Sequence, residues 1–208
     1  NVSHTSILRF TKKLGLEGFS ELKVHLKWDL AQKPNFKPRI IDDTYHEFIE
    51  TMERMKNRDL TNIMEMIEKA ERVFVYGTGV VQANMAGELR RVFLYTNKVF
   101  HAVGNGTEID TILNNVTKND LFIIISLSGD NETAVTLART LRGLHIPRIG
   151  IAKVGNTLLS KYCDDMITFR YETFKVGMSD ILYGSTAHFF IISDFLFLRY
   201  LEYSQEKG

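Results

Sequence analysis

Five short apolar runs dominate the hydrophobic pattern between residues 72 and 170. They are rich in β-branched and aromatic residues and almost continuous, which is typical of strands buried on both faces. The predicted strands are 72–77, 98–103, 121–126, 147–152 and 165–170. Amphipathic segments separate them and predict helices at 80–95, 107–116, 131–143 and 156–162.

Helical patterns also precede the first strand, at 44–55 and 58–70, and follow the last, at 182–203. This alternation predicts an α/β domain with a doubly wound, five-stranded parallel sheet, right-handed crossovers and helices on both faces. Such a sheet binds ligands beyond the carboxyl ends of its strands, where the strand order reverses.

The stretch "KPNFKPR", residues 33–39, contains two of the three prolines. Proline disfavours helix at its own position and at the residue before it. We therefore predict a linker at 33–41, between a helical segment at 1–32 and a body at 42–208.

Charge is distributed unevenly along the chain, although the net charge is only +1. Residues 1–40 contain eight basic and three acidic residues, whereas the remainder contains 18 basic and 22 acidic ones. A basic end on an acidic body favours a polyanion-binding arm, and chance surface charge is the alternative.

Composition excludes several classes of protein. The one cysteine excludes a disulfide framework and a cysteine metal cluster, and it fits a reducing cytoplasm. No secretory leader pattern is present, and Asp194 interrupts the longest apolar stretch, which is shorter than a membrane span. We expect a cytoplasmic protein that has no metal, no cofactor and no membrane contact.

The first predicted strand ends in Gly77, Thr78 and Gly79, directly before a helix. The glycines permit a sharp turn, and the helix start offers N–H groups to an anion. Gln82 stands where a dinucleotide motif needs its third glycine, so a dinucleotide site is disfavoured. Taken alone, this segment is as typical of an ordinary turn between a strand and a helix as of an anion-binding site.

A denser polar cluster follows the third predicted strand in the stretch "SLSGDNET". It contains Ser126, Ser128, Gly129, Asp130, Asn131 and Thr133. Helix capping explains any single Ser, Asp or Asn at such a position. Capping does not explain two serines and a glycine here together with a second polar turn after another strand. The pattern favours an anion site.

These motifs resemble a known family. The stretch "SLSGDNETAVTLARTLRG" resembles the S-x-S-G-E-T signature of sugar isomerase (SIS) domains, and "GTGVV" resembles their G-x-G-x-S loop. The segment "IPRIGIAKVGNTLLSKYCDDMI" is similar to the next unit of that domain. Residues 2–26 resemble the end of the helix-turn-helix domain of RpiR-type transcriptional regulators. The resemblance implies a flavodoxin-like strand order, preceded by a fragment of an all-α helix-turn-helix domain.

The resemblance assigns a DNA-binding role to the N-terminal residues. Early residues of a recognition helix meet base edges, which implicates Ser3, His4, Thr5 and Ser6. Basic residues meet phosphates, which implicates Arg9, Lys12 and Lys13. Arg9 has an alternative role in holding the module together. Earlier helices of this module would precede Asn1, so operator binding is expected of the intact N-terminal domain.

The resemblance also implies a phosphosugar effector. Its predicted ligand-binding residues are Gly77, Thr78, Gly79, Val81, Ser126, Ser128, Gly129, Asp130, Asn131, Thr133 and Glu172. Three of them depart from the family pattern: Val81 replaces Ser, Asp130 replaces Glu, and Asn131 replaces Thr. Either the site accepts an unusual phosphosugar or it has lost tight phosphate binding.

We therefore predict a transcriptional regulator, not an enzyme, that senses a phosphosugar as a homodimer or tetramer. The first alternative is a phosphosugar isomerase, which needs a base near C1 and C2 of the sugar. The residues considered for that base are Glu172, His101, His188 and Glu132, of which Glu172 is preferred. The second alternative is a protein-binding module whose pocket is degenerate at Val81.

Overall fold

The computed structural model describes residues 10–13, 39–104, 106–176 and 181–207. Contacts divide the chain into two compact units. One comprises residues 42–172 with 185–208, and the other comprises residues 1–41 with 173–184.

The larger unit is built on a five-stranded parallel sheet. Its strands are β1 (Arg72–Gly77), β2 (Phe100–Val103), β3 (Asp120–Ile125), β4 (Arg148–Lys153) and β5 (Asp165–Phe169). The strand order is β2-β1-β3-β4-β5, and every neighbouring pair is parallel. This confirms the predicted doubly wound sheet and its flavodoxin-like order.

Helices cover both faces of the sheet, which explains why the strands are apolar on both sides. The helices are α1 (Ile40–Asn57), α2 (Thr61–Lys69), α3 (Val80–Phe93), α4 (Thr107–Leu113), α5 (Glu132–Gly143) and α6 (Ala187–Lys207). One core cluster contains residues of α1, α2, α3 and α6, and a second contains residues of α4 and α5. All six residues of β3 are buried between these layers.

The largest departures from the predicted helices lie after β4 and before the last helix. The segment predicted as a helix at 156–162 contains only a 3₁₀ turn, Leu159–Lys161. Backbone N–H groups of this segment bond to the loop after β3, which holds it in a tighter path. The last helix begins at Ala187 rather than 182, because Leu182–Tyr183 forms a strand, β7, that pairs with β6 (Phe174–Lys175).

The smaller unit contains this β6–β7 pair, which is antiparallel. The rings of Phe174 and Tyr183 lie 5.4 Å apart across the pair. Residues 10–13 are helical, with Thr11 buried and its neighbours on both sides exposed. No helix in the described part of the chain is long and apolar enough to cross a membrane.

Candidate anion site at the carboxyl edge of the sheet

The two predicted ligand loops meet at the carboxyl ends of β1 and β3. Gly77 and Ile125 are paired in the parallel register. One residue further on, the Thr78 N–H donates a hydrogen bond to the Ile125 carbonyl at 3.1 Å. Because β2 lies on the opposite side of β1, the strand order reverses here, and a ligand crevice is expected at this point.

In the loop after β1, the backbone of Gly77 packs directly against the backbone at the start of α3. A Cβ atom on Gly77 would overlap the backbone carbonyl of Gln82 in the first turn of α3. Gly79 caps α3, and its carbonyl accepts the Ala83 N–H at 2.8 Å. The buried Gln82 side chain lies against Gly79, while Val81 is half-buried and packs against the core. Helix α3 therefore begins almost directly at the strand end.

In the loop after β3, the serine oxygens accept hydrogen bonds from the loop itself. The Gly129 N–H donates to Ser126 Oγ at 3.3 Å, and the Asp130 N–H donates to Ser128 Oγ at 3.1 Å. Since each Oγ is an acceptor in these bonds, its hydroxyl hydrogen remains to be donated elsewhere. Ser126 is 0 % exposed, whereas Ser128 is half-buried. Ser128 is thus the serine better placed to donate to a ligand.

Gly129 makes the turn between the strand and α5. Its φ of +71° is in the left-handed region that glycine adopts without penalty. A Cβ atom there would lie 2.6 Å from Thr157 Cβ, and the Gly129 carbonyl accepts the Leu159 N–H at 2.9 Å. The loop after β3 and the segment after β4 therefore support each other.

Asp130 and Asn131 both have structural partners. Asp130 Oδ1 accepts the Leu158 N–H at 2.8 Å, which adds to the contact with the segment after β4. Asn131 is the N-cap of α5, and its Oδ1 accepts the Ala134 N–H at 3.1 Å. Its amide hydrogens are still donors. The side chain that replaces the family threonine therefore caps the helix and retains hydrogens that an anion can accept.

Thr133 is exposed and lines a cleft of about 400 Å³ between α4 and α5. The lining residues are Gly106, Ile109, Asp110, Leu113, Glu132, Thr133, Thr136, Leu137 and Thr140. The floor of this cleft is apolar and its remaining side chains are hydroxyls and carboxylates. Such a lining suits a neutral, hydroxyl-rich group better than a phosphate.

The structure does not bring Glu172 next to these loops. It follows β5, which is separated from β3 by β4, so two strand spacings of roughly 10 Å in total intervene. Its carboxylate is paired with Arg170, with Oε1 3.0 Å from Arg170 Nε, and its N–H donates to Glu47 Oε1 at 2.9 Å. The hydrogen bond to Glu172 raises the pKa of the Arg170 guanidinium above its usual range.

Two residues at this edge of the sheet were not among the residues predicted from the sequence. Lys153 is exposed at the end of β4, and its N–H donates to the Leu127 carbonyl at 3.0 Å. The rule that ligands bind at carboxyl ends would have found it, because it directly follows a predicted strand. Thr157 is buried against Gly129, and no periodicity in the sequence indicates that contact.

Only two of the predicted DNA-binding residues lie within the described residues. Lys12 and Lys13 are exposed in the helical residues 10–13. Ser3, His4, Thr5, Ser6 and Arg9 lie outside the described residues. Within the described ranges, no group of three or more His, Cys, Asp or Glu residues is placed to hold a metal ion.

Comparison with known families defines the class of protein first. Residues 66–193 match the SIS domain family, and the fold with its two loops is that of a SIS domain. Residues 1–33 match the helix-turn-helix domain of the rpiR family. The chain therefore belongs to the RpiR family of helix-turn-helix transcriptional regulators that carry a SIS domain.

Individual relatives agree with this assignment. The HTH-type transcriptional regulator GlvR of Bacillus subtilis is 32% identical over 100% of this chain and 81% of its own length. The regulator HexR of Pseudomonas aeruginosa is 23% identical over 76% of this chain and 60% of its own length.

Solved structures show the same fold. The Vibrio vulnificus NanR protein complexed with ManNAc-6P has a TM-score of 0.62 at 20% identity, covering 99% of this chain and 76% of NanR. The sugar isomerase domain of an RpiR transcription factor from Sphaerobacter thermophilus has a TM-score of 0.58 at 16% identity, covering 81% of this chain and 99% of that domain.

Proposed function

We propose that this regulator senses a phosphosugar, which binds between the loops after β1 and β3 and alters operator binding by the helix-turn-helix domain. The observation that carries the proposal is the junction itself. Donor groups from two loops and the start of α5 meet where the strand order reverses. The regulator works in the cytoplasm and has no catalytic role.

The phosphate would be held mainly by uncharged donors. These are the Ser128 hydroxyl, the Asn131 amide and backbone N–H groups in the first turn of α5, where the helix dipole favours an anion. Lys153 adds a positive charge at the same edge of the sheet. Val81 supplies no hydroxyl, so the loop after β1 would contribute through its backbone and Thr78.

The sugar would extend from Thr133 into the cleft between α4 and α5. The threonine hydroxyls and the carboxylates of Asp110 and Glu132 line that cleft and can bond to sugar hydroxyls. NanR, which shares the fold, was solved with ManNAc-6P, an amino-sugar phosphate. That compound therefore belongs in any panel of effectors tested here.

We further propose a homodimer or tetramer. On α6, Phe190 and Leu198 are 41% and 53% exposed, and at the end of α3, Leu94 and Tyr95 are 65% and 76% exposed. Apolar groups on adjacent helices are typical of a protein–protein contact. An effector that binds two arrangements of the subunits with different affinities would change the spacing of the DNA-binding domains.

The direct test is effector binding, measured by thermal shift and calorimetry with hexose phosphates, ManNAc-6P and N-acetylmuramic acid phosphate. Removing the Ser128 hydroxyl in Ser128→Ala should weaken binding of the active compound about tenfold or more, because a bond to a charged group is lost. Ser204→Ala, near the end of α6, is the matched control. Binding by no compound, or undiminished binding by Ser128→Ala, would contradict the phosphate site.

Operator binding is tested on the chain with an intact N-terminal domain. Affinity should fall steeply with salt, and Lys12→Ala should reduce the slope by about one counterion.

The isomerase alternative predicts turnover of a sugar phosphate that disappears in Glu172→Ala. The position of Glu172 weighs against that alternative, since its carboxylate is bonded to Arg170 and lies two strands away from the loop after β3.

A further inference from the structure

A small polar cluster is buried under the carboxyl end of β5, away from the two loops. It consists of Glu47 and Thr51 on α1 and His188 on α6, which are 6%, 1% and 0% exposed. His188 Nδ1 lies 2.9 Å from Thr51 Oγ, and Nε2 lies 3.3 Å from Glu47 Oε2. The rings of Phe48 and Phe169 lie 4.9 Å and 5.3 Å from the imidazole, so its surroundings are otherwise apolar.

Counting hydrogens identifies the tautomer of His188. Thr51 Oγ lies 2.9 Å from the Glu47 carbonyl, which can only accept, so the hydroxyl hydrogen of Thr51 is used there. Thr51 Oγ must then accept from His188 Nδ1–H. A neutral imidazole protonated at Nδ1 has no hydrogen on Nε2. With a neutral imidazole, the contact between Nε2 and Glu47 Oε2 therefore requires a proton on Glu47, whereas with an imidazolium it would be an ion pair.

Burial favours this neutral arrangement over an ion pair. Desolvation lowers the pKa of the His188 imidazole from its usual 6.5 to about 4. It is also the largest cause that raises the pKa of the Glu47 carboxyl above its usual 4.5. Among the described residues, the other charged groups that act on this carboxyl are Asp43, Arg170 and Glu172.

Glu47 also contacts the edge of the sheet. Its second oxygen, Oε1, accepts the Glu172 N–H at 2.9 Å. The Glu172 side chain is paired with Arg170, whose guanidinium lies 3.7 Å from Glu50 of α1. One carboxyl group thus connects the first helix of the unit, the last helix and the chain that leaves β5.

We propose that Glu47 is a positioning residue for the β5 end of the carboxyl edge of the sheet, called here the effector edge. In this role Glu47 is an uncharged acid that donates to His188 and accepts from Glu172. It fixes Arg170 and Glu172 relative to α1, the helix that follows the predicted linker. The role in effector binding depends on the proposed function above, whereas the proton position and the fixed backbone do not.

Replacing either partner alone should change the pH dependence of stability, and the two changes should be opposite in sign. The two shifted pKa values act in opposite directions: the lowered pKa of His188 destabilises the folded chain as pH falls, and the raised pKa of Glu47 destabilises it as pH rises, so the two effects partly compensate in the wild type. In Glu47→Gln, the lowered pKa of His188 makes stability fall as pH drops from 6.5 towards 4. In His188→Asn, the raised pKa of Glu47 makes stability fall as pH rises above 4.5.

The experiment compares Glu47→Gln, Glu47→Ala and the control Glu53→Gln in the full chain, because Glu53 is an exposed residue of α1 whose carboxylate is bonded to Asn57 of the same helix. Glutamine reproduces the neutral acid, because its amide can donate to His188 and its carbonyl can accept from Glu172. We expect Glu47→Gln to be at least as stable as the wild type near neutral pH, because glutamine avoids the cost of the raised Glu47 pKa, and to keep wild-type hydrogen exchange at the Glu172 amide. We expect Glu47→Ala to speed that exchange and to weaken phosphosugar binding about tenfold.

Nitrogen NMR of the imidazole gives a readout that a merely structural role does not affect. It should show His188 neutral and protonated at Nδ1 in the wild type near neutral pH. An imidazolium, or Glu47→Gln being as harmful as Glu47→Ala, would overturn the neutral pair. Wild-type exchange at Glu172 in Glu47→Ala would overturn the positioning role.

The outcomes also separate this proposal from the proposed function. If no phosphosugar binds, the sensor hypothesis fails, while tautomer and amide exchange still decide the role of Glu47. If a phosphosugar binds equally well to Glu47→Ala and wild type, positioning of the effector edge is refuted and the sensor stands. Should Glu47→Ala not fold, His188→Asn replaces it, because it removes the His188 contact that holds the Glu47 carboxyl in place.

Discussion

Replacing Gly129 by alanine perturbs the turn that shapes the loop after β3. Two separate costs arise at this position. The residue has a φ of +71°, which an L-residue with a Cβ atom adopts only under strain. The added Cβ would also lie 2.6, 2.7 and 2.8 Å from the Cβ, Cγ2 and Oγ1 atoms of Thr157.

The magnitude follows from these two costs. The left-handed conformation costs about 1–2 kcal/mol for a residue other than glycine. Forcing an extra carbon into a packed site costs about 1–3 kcal/mol, since Thr157 is buried and its Cβ cannot rotate away. We therefore expect Gly129→Ala to lower the free energy of unfolding by about 2–5 kcal/mol. Displacing the loop should also weaken phosphosugar binding.

Urea denaturation followed by far-UV circular dichroism measures this loss. Gly87→Ala is the matched control, because Gly87 is inside α3 and, outside its own stretch of helix, no atom of the described residues lies within 4 Å of the added Cβ. The control should be stabilised by about 0.5–1 kcal/mol through helix propensity. A Gly129→Ala protein within about 0.5 kcal/mol of wild type would refute the argument from strain and overlap.

Two other substitutions test buried hydrogen bonds. Ser126→Ala removes the acceptor of the Gly129 N–H in a site without exposed surface, so urea denaturation should show a loss of about 1–3 kcal/mol. Asp120→Asn weakens two 2.8 Å bonds from Arg72 and should cost about 1–3 kcal/mol at neutral pH. Burial raises the pKa of Asp120, but the hydrogen bonds from Arg72 outweigh it and hold this pKa below the usual 3.8. The difference in free energy of unfolding between Asp120→Asn and wild type should therefore shrink as pH falls through that range. A difference that persists in acid, or an unaffected Ser126→Ala, would contradict these assignments.

The sequence by itself determined the sheet and the location of the candidate site. Strands buried on both faces leave continuous apolar runs, and all five runs became strands with boundaries shifted by at most two residues. The polar loops after β1 and β3 were visible because parallel strands place their carboxyl ends at one edge. The strand order came from the resemblance of those loops to SIS domains, not from periodicity.

Local pattern failed where distant contacts decided the conformation. Residues 156–162 have a helical pattern, but their N–H groups bond to Gly129 and Asp130, which no local rule anticipates. Leu182–Tyr183 extended the apolar run of the last helix, yet it pairs with β6 instead. In both segments, a tertiary hydrogen bond replaced the local one that periodicity predicts.

Only the tertiary structure decided which polar side chains work together. Asp130 and Asn131 looked alike in sequence, and the fold assigns one to the segment after β4 and the other to the cap of α5. Glu47 and His188 are 141 residues apart, and the fold buries them together with Nε2 of the imidazole 3.3 Å from the carboxyl Oε2. Sequence patterns report burial and local hydrogen bonding, whereas such pairs depend on packing between elements that are distant along the chain.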